Sequence, residues 1–265
     1  MAETTLFVEE RKMKIVEFVE QHKKATVAQL CKHFGVSSAT IRNDLRDLEA
    51  SKLITRTHGG AMVRTKTGLE LTSMQKEDQH LDSKRRIAQI ALTMIDDGDT
   101  IILDTGTTTL EIARLLSEKN EVTVVTNDLV IASVLESQAG ATIVFMGGIV
   151  RKNFHCTVFT GDAGAQIISG LVVDKAFMGT NGLSVSRGAT TPDIGTAQTK
   201  KLMISMASSV FVVCDNTKLG RDSFAQFASL EQIDSVITDA CDRAIKNQLE
   251  EQGVSVICLD TTNGS

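Results

Sequence analysis

Seven short runs of β-branched and apolar residues between positions 100 and 259 leave this chain few folds to choose from. They read TIILD (100–104), VTVVT (122–126), TIVFM (142–146), KAFM (175–178), VFVVC (210–214), SVITD (235–239) and VSVICL (254–259). Helical patterns over Lys84–Met94, Thr109–Ser117, Leu129–Ser137, Ala163–Ser169, Thr196–Ala207 and Cys241–Glu251 separate most of them. Strands this apolar must be covered on both faces, and strands that alternate with helices pair in parallel. The fold class is therefore α/β with a mainly parallel sheet, and no internal repeat is visible. In an open sheet of this kind a ligand sits beyond the carboxyl ends of the strands, so the loops that follow the strands are the place to look for chemistry.

The first of those loops, Asp104-Thr105-Gly106-Thr107-Thr108-Thr109, leads into a helix expected to begin near Thr109. A glycine lets the backbone approach a ligand, hydroxyls and successive N–H groups donate, and a helix N-terminus adds partial positive charge. The loop reads as a phosphate cradle. It is neither a GxxxxGK loop nor a GxGxxG fingerprint, and a threonine-rich helix cap is the alternative. The other strand ends carry Thr126-Asn127-Asp128, Gly147-Gly148 with Arg151 nearby, Gly161-Asp162, Gly179-Thr180-Asn181-Gly182 and Asp215-Asn216-Thr217-Lys218. Each alone is an ordinary turn, but their convergence on one edge of one sheet suits a polyol phosphate.

The first 65 residues follow another pattern. Arg11–His22 places Met13, Ile15, Val16, Phe18 and Val19 on an apolar face; Thr26 caps a short helix, Val27–His33, with Val27, Leu30 and Cys31 inward. Gly35 makes a turn, Ser37 or Ser38 caps the next helix, and Ile41, Leu45 and Leu48 form its buried stripe. The opposite face carries Ala39, Asn43 and Arg46 flanked by Thr40 and Arg42. Arginine can grip a guanine edge, asparagine an adenine edge, and serine or threonine a phosphate, so the face suits a major groove; an ordinary solvated helix is the alternative. The neighbours favour the first reading. Helix, short helix, glycine turn and recognition helix give a helix-turn-helix, and Leu53–Arg56 with Ala61–Arg64 can pair as a wing around His58-Gly59-Gly60, where the glycines are expected to supply positive φ. Ser38, Thr40, Arg42, Asn43, Arg46 and His58 are the candidate DNA contacts.

Charge supports that division. Residues 1–68 hold 12 Lys and Arg against 8 Asp and Glu, and the rest 16 against 25, so a basic head precedes an acidic body. A basic head attracts phosphates while an acidic body stays off the duplex. No apolar run approaches the length of a membrane span, and the start, MAETTLFVEERK, lacks the apolar core of a signal peptide. The five cysteines, Cys31, Cys156, Cys214, Cys241 and Cys258, are odd in number and form no ligand cluster, which points to reduced thiols, a cytoplasmic setting and no metal site. Cys156 beside His155 lacks a third member and is not expected to act as a nucleophile.

The run of IRNDL followed by THGGA closely resembles the N-terminal domain of the DeoR family of bacterial sugar-responsive transcriptional repressors. The stretches ILDTGTTTLEIARLL, VTNDL, FMGGIVR, DKAFMGTNG and CDNTKLG resemble the effector domain of the same family. The resemblance implies a winged helix-turn-helix domain at 1–65, a linker at 66–82 and a sugar-phosphate-sensing domain at 83–265 whose fold is shared with ribose-5-phosphate isomerase. It also implies that Asp104, Gly106, Thr107 and Thr108, with Thr109 beside them, hold a phosphate end, Asn127 and Gly148 a sugar end, and Lys218 an anionic or hydroxyl group. Where the family carries a Glu-Ala pair, this chain reads Thr191-Pro192-Asp193-Ile194-Gly195-Thr196-Ala197, so the acidic contact is absent or moved to Asp193.

Two functions follow from these readings. One is a repressor of a carbohydrate-utilisation operon, binding double-stranded operator DNA under the control of a phosphorylated sugar, with no catalytic residue and no cofactor. The other is a sugar-phosphate isomerase or deaminase with an appended DNA-binding head. Proton shuttling needs a positioned carboxylate, and Asp193 is the one candidate in its loop, so the repressor is preferred. A single head offers few base contacts, so a homo-oligomer, dimer or tetramer, is expected.

Overall fold

The computed structural model describes residues 8–22, 24–51, 53–57, 59–63, 70–138, 140–159 and 170–262. The chain divides into two compact units, Met1–Leu71 and Thr72–Ser265.

The first unit runs α1 (Val8–His22), β1 (Lys24–Thr26), α2 (Val27–Phe34), α3 (Ser38–Ala50), β2 (Ile54–Thr57) and β3 (Gly60–Val63). Local chemistry sets each boundary. Thr26 and Gln29 form a reciprocal capping box at the start of α2, and Gly35 ends that helix in the left-handed conformation, its N–H donating to Cys31 O at 3.0 Å. Ser37 caps α3, its hydroxyl accepting from Thr40 N at 3.1 Å. The apolar stripes of the helices meet in one core of Ile15, Val16, Val19, Leu30, Ile41, Leu45, Leu48 and Ile54, each such residue worth roughly 1.5–3 kcal/mol when fully buried. The wing is a three-stranded antiparallel sheet in the order β1-β3-β2, one strand more than expected. Gly60 does not take the positive φ expected of it. It is needed for closeness instead, because a Cβ there would lie 2.0 Å from Ala25 O on β1. Arg64, expected at the end of the wing, lies outside the described residues.

The second unit is organised on a seven-stranded sheet, parallel throughout, in the order β15-β14-β12-β9-β4-β5-β6. Its strands are β4 (Thr100–Leu103), β5 (Thr123–Thr126), β6 (Thr142–Phe145), β9 (Val173–Gly179), β12 (Ala207–Val213), β14 (Ser235–Asp242) and β15 (Ser255–Thr262), one for each run singled out in the sequence. Alternate residues serve opposite faces. Ile101, Leu103, Val124, Phe177, Val213 and Ile237 pack under α5 (Leu81–Thr93), α6 (Thr107–Leu115) and α7 (Leu129–Glu136). Ile102, Ala176, Met178, Val212, Val236 and Val256 pack under α8 (Ile194–Ser205) and α9 (Arg243–Glu251). Helix α9 starts two residues later than expected, because Cys241 and Asp242 still pair with Thr261 and Thr262 of β15 and Asp242 caps the helix.

Several short pieces were not expected. A hairpin of β7 (Ile149–Arg151) and β8 (Cys156–Val158) follows β6, and β10 (Gly182–Ser184), β11 (Gly188–Thr191) and β13 (Ala225–Ala228) form a separate antiparallel sheet. Within the stretch expected as a linker, Thr72 onward belongs to the second unit and carries α4 (Ser73–Glu77). Its reason is visible in the sequence: Thr72 and Gln75 make a capping box, with Gln75 N donating to Thr72 Oγ1 at 3.3 Å. The helix expected over Ala163–Ser169, and Gly161-Asp162 before it, lie outside the described residues. No helix among the described residues is long and apolar enough to cross a membrane.

Candidate functional site

In the first unit, α3 presents its polar face to solvent. Ser38, Ala39, Arg42, Asn43 and Arg46 are exposed and Thr40 is half-buried beside its cap, while Ile41, Leu45 and Leu48 are inside. The Arg46 guanidinium donates to Asn43 Oδ1 at 3.3 Å, so these side chains form one surface polar group rather than two separate ones. On the wing Thr55, Arg56 and Thr57 are exposed, and Arg56 pairs with Glu49 at 3.5 Å. His58 lies outside the described residues. One residue the sequence reading left out of its stripe fixes how α3 is held. Asp44 is 3% exposed and accepts from Arg11 Nε at 2.7 Å and Nη2 at 3.2 Å, a bidentate pair that ties α1 to α3.

In the second unit, strand order sets the location of a crevice. From β4 the chain winds outward through β5 and β6; from β9, beside β4, it winds the other way through β12, β14 and β15. The carboxyl ends of β4 and β9 are therefore a topological switch point, the place where open α/β sheets receive ligands. Asp104 leaves β4 there, 1% exposed. Its Oδ2 accepts from Gly179 N at 2.9 Å and from the ammonium of Lys200 on α8, which also donates to Gly179 O at 3.0 Å. Burial pushes the Asp104 carboxyl up from its ordinary value, and the Lys200 ammonium and the Gly179 N–H pull against that push. Its second oxygen, Oδ1, is buried without a hydrogen-bond partner.

Helix α6 begins at Thr107, two residues earlier than expected, with Gly106 at its N-cap (φ 151°) and no side chain capping it. Thr105, Thr107 and Thr108 are half-buried at the rim. Thr105 donates to Asp128 Oδ2 at 2.7 Å, and Asp128 Oδ1 caps α7 by accepting from Val130 N and Ile131 N, which ties the loop after β4 to the end of β5. Asn127, 2% exposed, donates to Thr157 O at 2.8 Å and leaves its Oδ1 buried without a partner. The neighbouring ends of β4 and β5 thus each hold a buried side-chain acceptor without a hydrogen-bond partner.

The other expected positions divide. The Thr109 hydroxyl is buried and donates to Gly106 O at 2.9 Å, so it turns back on its own helix. Gly148 is exposed at the root of the β7–β8 hairpin, where a Cβ would lie 2.6 Å from Val158 O; it permits chain packing. Lys218, on a 3-10 turn after β12, is half-buried and 3.9 Å from Asp215, whose Oδ1 accepts from Thr217 N at 3.1 Å. In the sheet β12 and β4 flank β9, so the strand ends that carry Lys218 and Asp104 lie roughly 10 Å apart, two strand spacings.

Asp193 caps α8. Its Oδ1 accepts from Thr196 N at 2.7 Å and Thr196 Oγ1 at 2.9 Å, with Arg151 3.7 Å away. Burial raises its pKa, but those hydrogen bonds and the Arg151 charge outweigh burial and hold it below the ordinary carboxylate value. A carboxylate so held is a poor general base. Cys156 is 1% exposed, and burial pushes its thiol up to about 11, so it is not an activated nucleophile. Lys200 and Lys84 were not anticipated, although both occupy apolar stripes: Lys200 lies between Ala197 and Met203, and Lys84 three residues before Ile87.

Two family models match the chain. The DeoR-like helix-turn-helix domain matches residues 11–67, and the DeoR C terminal sensor domain matches residues 79–240. The HTH-type transcriptional regulator GlpR of Haloferax volcanii is 41% identical over 94% of this chain and 96% of its own. The HTH-type transcriptional repressor GlcR of Bacillus subtilis is 34% identical over 98% of this chain and 99% of its own, and the regulator GolR of Listeria innocua 31% over 95% and 98%. Among solved structures, a ribose-5-phosphate isomerase in complex with phospho-erythronic acid is 18% identical over 52% of this chain and 54% of that one, with a TM-score of 0.40.

Proposed function

The chain belongs to the DeoR family of DNA-binding transcriptional regulators and is a regulator rather than an enzyme; from that premise we propose that it represses a carbohydrate-utilisation operon, releasing or retaining its operator according to a phosphorylated sugar or sugar derivative. The observation that carries the proposal is the pairing of opposite needs at the switch point. The uncapped N-terminus of α6 offers donors and partial positive charge to a phosphate. Asp104 Oδ1 and Asn127 Oδ1 are buried acceptors, and sugar hydroxyls are donors. A phosphorylated polyol meets both needs in one molecule. Thr107, Thr108 and Lys218 complete the proposed contacts.

On this reading Ser38, Thr40, Arg42, Asn43 and Arg46 face the operator, joined by Arg56 of the wing. One such head reads a half-site, so operator recognition calls for a dimer or tetramer, with self-association carried by the second unit. Light scattering at micromolar concentration is expected to give a mass of at least two chains, and the mass of a single chain would contradict it.

The test is a calorimetric titration of the full chain with pentose and hexose phosphates and their unphosphorylated parents. One phosphorylated member is expected to bind and to change operator affinity in a gel shift. Equal binding of its unphosphorylated parent would remove the phosphate site from the account, and steady turnover of any sugar phosphate would restore the enzyme.

A further inference from the structure

Helix α4 is the first element after the head unit ends, and by its own composition it should not hold. It has five residues, none of them buried, and Met74 is 74% exposed. An isolated helix of this length is not stable in water. What holds it comes from elsewhere. Lys84 of α5, 4% exposed, directs its ammonium at the carboxyl end of α4, donating to Lys76 O and, at 3.2 Å, to Glu77 O. There it satisfies carbonyls that a helix end leaves without partners. Beyond Lys84, α4 rests on the turn Lys152–Phe154 and on α6, with Lys76 Nζ 5.9 Å from the Phe154 ring and Glu77 4.0 Å from Arg114.

Each support is attached to the sensor crevice. Lys84 lies in the field of Asp215 and Lys218, at the end of β12, and of Glu111 on α6. Helix α6 carries the cradle loop at its N-terminus. The turn Lys152–Phe154 follows Arg151, whose guanidinium stands 4.1 Å from the Phe154 ring and donates to Thr196 of α8 at 2.8 Å. The same helix α8 carries Lys200 to Asp104.

We propose that Lys84 is a latch through which an anion in the sensor crevice acts on α4, and so on the chain that leads to the head. The ammonium is shared between two carbonyls, Lys76 O and Glu77 O. An anionic group bound near Lys218 and the start of α6 offers it a stronger partner, draws it off, and leaves the end of α4 unsupported. The ligand's leverage on α4 equals its preference for the unlatched state. Lys84 is thus a positioning residue. The proposal rests on the anion-binding reading of α6 given above.

The experiment is residue-resolved amide hydrogen exchange on the full chain, with inorganic phosphate as the probe, for wild type, Lys84→Met and Lys84→Arg. In wild type, phosphate is expected to slow exchange at Thr107–Thr109 and to speed it at Lys76 and Glu77 by roughly tenfold, the change that about 1.4 kcal/mol of lost protection gives. In Lys84→Met the α4 amides exchange fast from the outset; phosphate still protects Thr107–Thr109 and adds nothing at α4, and Lys84→Arg restores the wild-type response. Protection at Thr107–Thr109 with α4 unmoved in wild type overturns the latch while leaving the anion site intact. No protection at Thr107–Thr109 overturns the anion site and the latch with it. Equal α4 exchange in unliganded wild type and Lys84→Met overturns the latch alone, and the wild-type arm decides the matter even if the variant fails to fold.

Discussion

The two units use polar residues in opposite ways. In the head, the groups proposed to meet DNA stand in water: Arg42, Asn43 and Arg46 are exposed while the stripe behind them is closed. In the sensor unit the groups at the crevice are inside, with Asp104 at 1%, Asn127 at 2% and Lys200 at 3% exposure. A surface that reads a groove needs only a rigid helix beneath it, whereas polar groups taken out of water cost stability wherever a partner is missing. Function and stability are therefore separable in the head and entangled in the sensor unit.

The sharpest way to break that contrast is to remove one partner of the buried pair in the sensor unit. Lys200→Met leaves Asp104 buried without its ammonium, and loss of one partner of a buried ion pair costs about 3–5 kcal/mol. Urea unfolding of the second unit should show that loss, and the added change Asp104→Asn should recover part of it. A loss under about 1 kcal/mol would mean that the crevice tolerates change as the head surface does.

Lys84 sharpens the same point through pH. Burial lowers its ammonium to about 8 from the ordinary 10.5. Below about 8 both folded and unfolded chains hold the proton, and the burial penalty is present in full. Between 8 and 10.5 the unfolded chain holds more protons, so stability from this group rises with pH across that window. The difference in unfolding free energy between wild type and Lys84→Met should therefore move in favour of wild type by roughly 3 kcal/mol on going from below 8 to above 10.5. A difference that stays flat with pH would place the ammonium in water.

In the head the expectation reverses. Asn43→Ala and Arg46→Ala should each cost about 1–3 kcal/mol at the operator if they read bases, and less than about 0.5 kcal/mol in urea unfolding. Unchanged operator affinity in the triple variant with Arg42→Ala would assign reading to another element. Smallest of all, Ser37→Ala removes the cap of α3 and should lower the stability of the head by about 1 kcal/mol. A null result there would show that the helix needs only its packing.

How much of this was legible in the sequence follows the same division. The seven strands could be read because β-branched runs buried on both faces leave an unbroken apolar signal. Ser37, Thr26 and Gly35 could be read because caps act locally. The hairpin β7–β8 and the sheet β10-β11-β13 were missed: strands of three or four residues are too short to show a period. At the crevice the sequence does not show where a hydroxyl points: that of Thr109 turns back on its own helix. The missed charges share one form. Asp44, Lys84 and Lys200 each sit three or four residues from apolar neighbours on the buried stripe of a helix, beside Ile41, Ile87 and Met203. A charge in such a position must find a buried partner, and that partner, Arg11, the end of α4 or Asp104, lies on another element that only the fold brings close.

Because Asp104 is bound into the core, Lys218 offers the cleaner probe of control: it is half-buried, on a 3-10 turn after β12, with Asp215 3.9 Å away. The decisive measurement is operator binding by fluorescence anisotropy, with and without the phosphorylated sugar identified by calorimetry, in wild type and Lys218→Ala. The expected result is operator affinity within about threefold of wild type in the absence of ligand, and a ligand midpoint displaced by roughly tenfold or more. A folded Lys218→Ala protein whose operator binding responds to the ligand at the wild-type midpoint would contradict the account and place control outside the crevice.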